Sequence, residues 1–194
     1  MARYYKLTDE YGRTHGGTQW GPGVTHRAEG KGQEFCTKDF IHVYDDPLLA
    51  VLLSAVHANF RQLRLWRCRV RDVDSDRGLK FGVKVCTTVE EIPVPQITTE
   101  QKVRFGILCA LKVCHKARWV QWAHNWLSGR DRSASAAKVV VGEVEWAAAW
   151  AAWAAWAARA ATEWTALWAA KAAEEAARQT QLDLRGIARE AIKE

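Results

Sequence analysis

The stretch from Trp146 to Arg178 constrains the fold more than any other part of this sequence. Its 33 residues include 18 alanines, and because alanine is the strongest helix former the stretch is predicted to be helical. At about 100° of rotation per residue, its six tryptophans fall within an arc of about 120°. Soluble monomers avoid apolar patches of this size, so we expect the helix to pack on more than one side. The six are Trp146, Trp150, Trp153, Trp156, Trp164 and Trp168.

Two kinds of partner can cover this tryptophan stripe. The spacing of its tryptophans and of the alanines between them resembles the a and d positions of a heptad repeat, which favours packing against other copies of the chain. The six tryptophans are therefore predicted to be oligomer-packing residues. The alternative is a helical hairpin within one chain, built with the stripe formed by Trp119, Trp122 and Trp126 and docked on a sheet. An aromatic cage for a cofactor is a less common use of such a stripe, and no cofactor is predicted.

The composition changes near residue 98, from short glycine-containing segments to helical sequence. We therefore predict an α+β fold with two parts, an α+β domain at 1–97 and a helical oligomerisation region at 98–194. The first part is expected to hold a small mixed or antiparallel sheet, and the second a helical hairpin and a long Ala/Trp-rich helix. Predicted strands span 3–8, 40–44, 64–73, 79–87 and 90–94, the last at an edge because of its prolines. Predicted helices span 48–60, 100–127, about 134–178 and 180–194.

Basic side chains concentrate on one predicted strand. Alternation places Arg67, Arg69 and Arg71 on one face of it, about 7 Å apart from one to the next. Guanidinium groups suit phosphate and carboxylate oxygens, so we expect an anion pocket that combines this face with the glycine-rich loop at 16–23. The alternative is a solvated face balanced by acids elsewhere. The predicted ligand-binding residues are Arg67, Arg69, Arg71, His42, Trp20 and Gly21.

Motifs that would carry catalysis or bind a metal are not found in the sequence. It contains no HExxH, no zinc-finger spacing, no GxSxG and no CxxC pair, so neither catalytic residues nor a metal are predicted. His42 and His57 can serve as acid and base, although structural roles are more common for lone histidines. The five cysteines lie among apolar neighbours, and we expect buried, reduced thiols in a cytoplasmic protein.

Net charge and hydropathy limit the classes of partner that the sequence predicts. With 28 basic and 22 acidic residues the net charge is +6, a mild excess that gives weak attraction to phosphate but does not predict a nucleic-acid partner. The N-terminus, 1–6, has no apolar signal segment. The longest uncharged apolar run, 146–158, is shorter than the ~20 residues of a membrane span, so no membrane insertion is expected.

Five sequence motifs carry a resemblance that covers most of the chain. Taken together they look like a family of small uncharacterised bacteriophage and prophage proteins with Ala/Trp-rich helical tails. The resemblance implies a phage accessory protein in the cytoplasm of an infected or lysogenic bacterial host, and it carries no functional residue over. The motifs are GGTQWGPGVTH at 16–26, FIHVYDDPLLA at 40–50, LKFG at 79–82, TTEQ at 98–101 and WLSGRDRS at 126–133.

A fainter likeness is architectural. A strand, an Asp-Pro step, a helix through Ala50 and the strand at 65–70 are similar to a segment of ADP-ribosyltransferase-like folds, whose catalytic glutamate and nucleotide-binding positions are not matched here. The expected function is non-enzymatic, and it is based on the arginine strand, the glycine-rich loop, the absence of a catalytic set and the phage resemblance. We expect an oligomeric anti-defence protein that binds a small anionic, nucleotide-like ligand and sequesters a host immune signal. The alternatives are a structural assembly protein built by the Trp/Ala helices and an enzyme that acts on a nucleotide.

Overall fold

The computed structural model describes residues 3–141, 144–158 and 163–193 and divides into two compact units, 1–96 and 97–194. An antiparallel sheet followed by helices confirms the predicted α+β class. The strands are β1 (Tyr4–Thr8), β2 (Thr25–Arg27), β3 (Ile41–Val43), β4 (Arg64–Asp76) and β5 (Lys80–Ile92). The helices are α1 (Pro47–His57), α2 (Thr99–Ala110), α3 (Ala117–Leu127), α4 (Ala134–Val141), α5 (Trp146–Ala157), α6 (Glu163–Gln179) and α7 (Leu184–Ala191).

A long hairpin of β4 and β5 organises the first unit. Its turn places Arg77 and Gly78 at positive φ, and the pairing starts at Asp76 and Lys80. The prediction of separate strands at 79–87 and 90–94 is wrong, because β5 is one continuous strand. On the side away from β4 it pairs with β3 at 81–83 and with β2 at 85–87. Among the described strands only β4 pairs with its 90–92 end, which agrees with the edge position predicted there. Pro93 follows the end of the strand and therefore removes no ladder hydrogen bond.

The sheet closes on its first strand. β1 pairs with β4, and Tyr44, directly after β3, exchanges two backbone hydrogen bonds with Tyr5 of β1, at 2.7 and 2.9 Å. β1, β4, β5 and the β3 segment therefore form a ring of pairings. One buried cluster packs on this sheet: Trp20, Val43, Trp66, Cys68, Val83 and Cys86.

The helix that follows β3 begins where the sequence predicts. The carboxylate of Asp46 accepts the Leu48 N–H at 2.8 Å, and Pro47 occupies the first turn, where its missing N–H costs nothing. Leu49, Leu52 and Leu53 bury the apolar face of α1. The helix ends at His57, three residues earlier than predicted, and the His57 ring stacks on Tyr44 with centroids 6.0 Å apart.

The predicted single helix over 100–127 is two helices. Thr98 and Gln101 form the expected capping box at the start of α2. The chain then turns tightly after Ala110, where the Val113 N–H bonds the Ala110 carbonyl at 3.1 Å. This break lets α3 bury its tryptophan stripe, and the Trp119 indole N–H reaches the Ala148 carbonyl at 3.1 Å.

The predicted continuous helix up to residue 178 is also wrong. Three helices, α4, α5 and α6, occupy this stretch, and 142–143 and 159–162 lie outside the described residues. Alanine faces explain the folded arrangement, because small side chains let helices approach closely. A Cβ on Gly106 of α2 would lie 3.1 Å from the Ala169 backbone of α6. The terminal helix, α7, covers only the middle of its predicted range. Of the helices described, none has both the length and the apolar character that crossing a membrane requires.

Candidate functional site

A cavity of about 800 Å³ opens in the first unit. The short 3-10 turn at His15–Gly17, the loop that precedes β3, and the end of α1 supply much of its wall. Strands β1, β3 and β5 contribute Lys6, His42 and Lys80. The volume falls in the range of small-molecule sites, which makes this cavity the candidate functional site.

The lining is cationic and aromatic. Among the described residues that line the cavity, Lys6, Arg27, Lys38 and Lys80 are basic and Glu29 is the one acid. Glu29 is neutralised by Lys38, whose Nζ lies 2.9 Å from its carboxylate. The walls also carry rings and four histidines: Trp20, Phe40, Tyr44, Phe60, His15, His26, His42 and His57.

Two of the histidines fasten the glycine-rich loop. His15 Nε2 lies 2.9 Å from the Ala58 carbonyl and His26 Nε2 lies 2.8 Å from the Gln19 carbonyl. A carbonyl oxygen can only accept, so each Nε2 carries the proton and donates. The His26 ring packs edge-on against Trp20 with centroids 4.6 Å apart. These contacts connect the loop to the end of α1 and to β2.

The other two histidines are held neutral. Burial, followed by the charge of Lys80, lowers the pKa of His42 to about 4 and that of His57 to about 3. His42 Nε2 accepts the Cys36 backbone N–H at 3.3 Å, and His57 Nδ1 lies 3.2 Å from the Tyr44 hydroxyl. At neutral pH both rings therefore offer hydrogen bonds but no positive charge.

The lysines supply the charge. Lys80 is 6% exposed, and its ammonium lies 3.0 Å from Cys36 Sγ and 3.9 Å from the Asp76 carboxylate. Lys6 Nζ donates to the His42 carbonyl at 2.9 Å and lies 5.3 Å from the centre of the Trp20 ring. Burial lowers the pKa of Lys6. Buried basic groups of this kind gain most from an anionic ligand.

The residues predicted to bind a ligand divide between two places. Trp20 and His42 line the cavity, and Gly21 follows Trp20 outside the lining. The alternation predicted for β4 is confirmed, since Trp66 and Cys68 are buried while Arg69 and Arg71 are exposed. The three arginines, however, do not line this cavity, and the structure does not combine them with the glycine-rich loop around it.

Arg67 has a local partner instead. Its guanidinium lies 3.0 Å from the Glu90 carboxylate on β5, which is the cross-strand neighbour in the ladder. This contact corresponds to the solvated, acid-balanced alternative for Arg67. Exposed pairs of this type stabilise a protein by about 0–1 kcal/mol.

Sequence reasoning did not find Lys6, Lys80 and Cys36 as site residues. The expectation that all five cysteines are buried is wrong for Cys36, which is exposed, and right for the other four. Cys36 sits in a polar loop at positive φ, a position set by contacts to β3 and β5. A lone lysine within the apolar strand sequence at 4–8 is the signal that could have directed attention to Lys6.

The second unit carries a separate surface, which we call the tryptophan face. It comprises the six tryptophans of α5 and α6: Trp146, Trp150, Trp153, Trp156, Trp164 and Trp168. Neighbouring rings contact one another along this face. The ring centroids of Trp146 and Trp150 lie 6.0 Å apart, and so do those of Trp153 and Trp168. The alanines of α5 and α6 are largely buried, whereas several indoles remain outside. The most exposed are Trp146 at 64%, Trp164 at 57% and Trp156 at 47%.

Comparison with known proteins adds no relative. No protein-family model matches the chain, and neither a curated protein nor a solved structure matches it significantly.

Proposed function

We propose that the first unit binds a small anionic ligand with a flat ring, such as a nucleotide, in the cationic cavity. The observation that carries the proposal is the buried Lys80 ammonium facing a cavity that is walled by aromatic rings. Phosphate or carboxylate oxygens would pair with the lysines, and a base would stack on Phe60, which is half-buried at the cavity wall. The charge pairing and the ring stacking would both form in a partly dehydrated cavity. Each interaction is therefore stronger there than on an open surface.

Binding without turnover fits the site better than catalysis. A general base works best with a pKa near the working pH, and burial lowers the pKa of His42 to about 4 and that of His57 to about 3. The nucleotide-acting enzyme is therefore the less favoured alternative. A phage accessory protein that retains a host immune signal is the biological role consistent with such binding, and it rests on the sequence resemblance.

Calorimetric titration with a panel of nucleotides, cyclic nucleotides and cyclic dinucleotides tests the proposal. We expect saturable binding of at least one of them. Loss of a buried charge-assisted hydrogen bond costs about 1.5–3 kcal/mol, so Lys80→Met should weaken binding at least about tenfold. Arg69→Ala is the matched control, because Arg69 is an exposed cation outside the cavity, and its affinity should stay unchanged.

The same titration distinguishes the cavity from the arginine face of β4, which the sequence predicted to be part of an anion pocket. If Arg67→Ala and Arg69→Ala abolish binding while Lys80→Met leaves it intact, the outer face of β4 is the site and the cavity proposal fails. If no member of the panel binds to wild-type protein at millimolar concentration, the proposed ligand class is wrong.

We infer a second, independent function for the tryptophan face, which is self-association of the chain. A tryptophan side chain has a surface of up to about 250 Å². With the exposed fractions given above, the three most exposed indoles together present about 400 Å² of apolar surface. A patch of this size is comparable to the largest apolar patch on a typical monomer, about 300–600 Å², which often marks an interaction site. It supplies about half of the ~800 Å² that each partner buries in a standard interface. A second copy offers the same indole edges and faces, so the surface can pair with itself about a two-fold axis.

Sedimentation equilibrium tests this self-association. Wild-type protein should form dimers or larger oligomers, and replacing both Trp146 and Trp164 by serine should weaken association at least about tenfold, since interface tryptophans often contribute 2 kcal/mol or more. Val139→Ser is the matched control, because Val139 is 51% exposed on α4 and is not part of the face. A wild-type monomer at high micromolar concentration would overturn the inference.

A further inference from the structure

Cys36 differs from the other cysteines in exposure and in surroundings. It is exposed at the cavity wall, while Cys68, Cys86, Cys109 and Cys114 are buried. Its backbone adopts a φ of 65°, a value that residues other than glycine rarely adopt. The Cys36 N–H is bonded to His42 Nε2 at 3.3 Å. The loop therefore presents this thiol to the cavity from a defined backbone position.

A lysine from a distant strand meets the sulfur of Cys36. Lys80, 44 residues away, places its ammonium 3.0 Å from Sγ. The ammonium is buried, and its carboxylate neighbour, Asp76, is farther away at 3.9 Å. The thiolate is the form of cysteine that reacts with electrophiles, and a nearby ammonium attracts anionic ones. Cys36 therefore combines exposure at the cavity wall with a cation 3.0 Å from its sulfur, whereas the other four cysteines are buried.

We propose that Cys36 is a covalent modification site that takes small anionic disulfides by thiol–disulfide exchange. The cationic lining that recruits the disulfide is the same one that the proposed function uses, so the charge preference rests on that proposal. A disulfide carrying carboxylates would enter with its charges toward Arg27 and Lys80, and one of its sulfurs would reach Cys36.

The exchange balances without any further oxidant. The Cys36 thiol gives its proton to solvent, and the thiolate Sγ attacks one sulfur of the incoming disulfide. A bond from Sγ to that sulfur forms as the original S–S bond breaks. The other half leaves as a thiolate with the electron pair, next to the Lys80 ammonium. Cys36 ends as a mixed disulfide with one half of the reagent, and the other half is released as a free thiolate.

Rates of exchange on the full-length protein test the charge preference directly. Three reagents differ in charge: dithiobis(nitrobenzoate), which is anionic, bis(hydroxyethyl) disulfide, which is neutral, and cystamine, which is cationic. Each rate is divided by the rate of the same reagent with an unstructured cysteine peptide. We expect the normalised rate of the anionic reagent to exceed that of cystamine at least about tenfold, and to fall as salt screens the lining.

Variants assign the reaction to the two residues. Intact-mass and peptide analysis should find one adduct, on Cys36, and Cys36→Ser should remove it. Lys80→Met should slow the anionic reagent at least about fivefold through loss of the neighbouring charge, whereas Arg69→Ala should leave the rate unchanged. Circular dichroism confirms that each variant is folded, and the salt dependence of the wild-type rate tests the same charge effect without a variant.

Three results would overturn the inference: an adduct on a buried cysteine, a wild-type rate equal to that of the peptide, or equal normalised rates for all three reagents. The outcome is separable from the proposed function, because nucleotide binding is measured by calorimetry on reduced wild-type protein in the absence of any disulfide reagent. Failed exchange together with intact binding removes only the covalent site.

Discussion

Tyr44 and Tyr5 exchange both of their backbone hydrogen bonds, and this one pair closes the sheet of the first unit. The pair lies 39 positions apart in sequence and joins β1 to the segment after β3. It brings Lys6 of β1 next to His42 of β3, where the lysine donates to the histidine carbonyl. The cavity therefore depends on the ring of strands for its shape.

Replacing Thr8 by valine should destabilise the first unit. Thr8 Oγ1 accepts the Trp66 indole N–H at 3.0 Å, and both residues are buried. Valine keeps the shape but leaves a buried donor unpaired, which costs about 1–3 kcal/mol. Urea unfolding measures the change. Thr25→Val is the control, since its hydroxyl bonds Thr87 on the exposed surface, and equal losses for the two variants would contradict this account.

Gly106→Ala should destabilise the second unit even though alanine is the better helix former by about 1 kcal/mol. The new Cβ would lie 3.1 Å from Ala169 Cα and 3.2 Å from its carbonyl oxygen. These are backbone atoms, so α2 and α6 must move apart, and such overpacking costs about 1–3 kcal/mol. Thermal unfolding should show a lower midpoint than wild type, whereas a higher midpoint would mean that the two helices are not this close.

Stability should fall as the pH drops below neutral because of His42 and His57. Their folded-state pKa values, about 4 and about 3, lie below the ordinary value of 6.5. The unfolded chain therefore binds more protons between about pH 6.5 and pH 4, and the stabilisation present above pH 6.5 is lost as the pH falls through that window.

Replacing His57 by glutamine isolates one part of this pH effect. After allowance for solvent screening, we expect His57 to account for about 1–2 kcal/mol of the loss between pH 7 and pH 4.5. His57→Gln should flatten the dependence of unfolding free energy on pH by that amount. His124→Gln, at an exposed position on α3, should leave it as steep as in wild type, and a His57 variant with the wild-type slope would refute the assignment.

Local sequence signals predicted the elements that depend on near neighbours. Asp46 with Pro47 marks the start of α1, and Thr98 with Gln101 marks the start of α2, because each cap is completed within four residues. The alternation of Trp66 and Arg67 follows from the pleat of a single strand. These features, and the α+β class, are confirmed by the structure.

Contacts between residues far apart in the sequence could not be predicted from such local signals. Alanine occupies 147–158 except at three tryptophans, so the whole stretch predicts helix and nothing in it indicates where one helix ends. One long helix was therefore expected where α4, α5 and α6 lie. The contact between Cys36 and Lys80 joins a loop to a strand 44 residues away. Only the register of β3 on β5, set by pairings such as His42 with Gly82, brings them together.

The central claim is that the cavity of the first unit recognises negative charge on a ring-bearing ligand. The most direct measurement compares, by calorimetry, a nucleotide that binds wild-type protein with the same nucleoside lacking its phosphates, at low and at raised salt. We predict that the nucleotide binds at least about tenfold more tightly and that salt narrows the difference, since charge-assisted contacts carry it. Equal affinities for nucleotide and nucleoside, with no effect of salt, would contradict the claim.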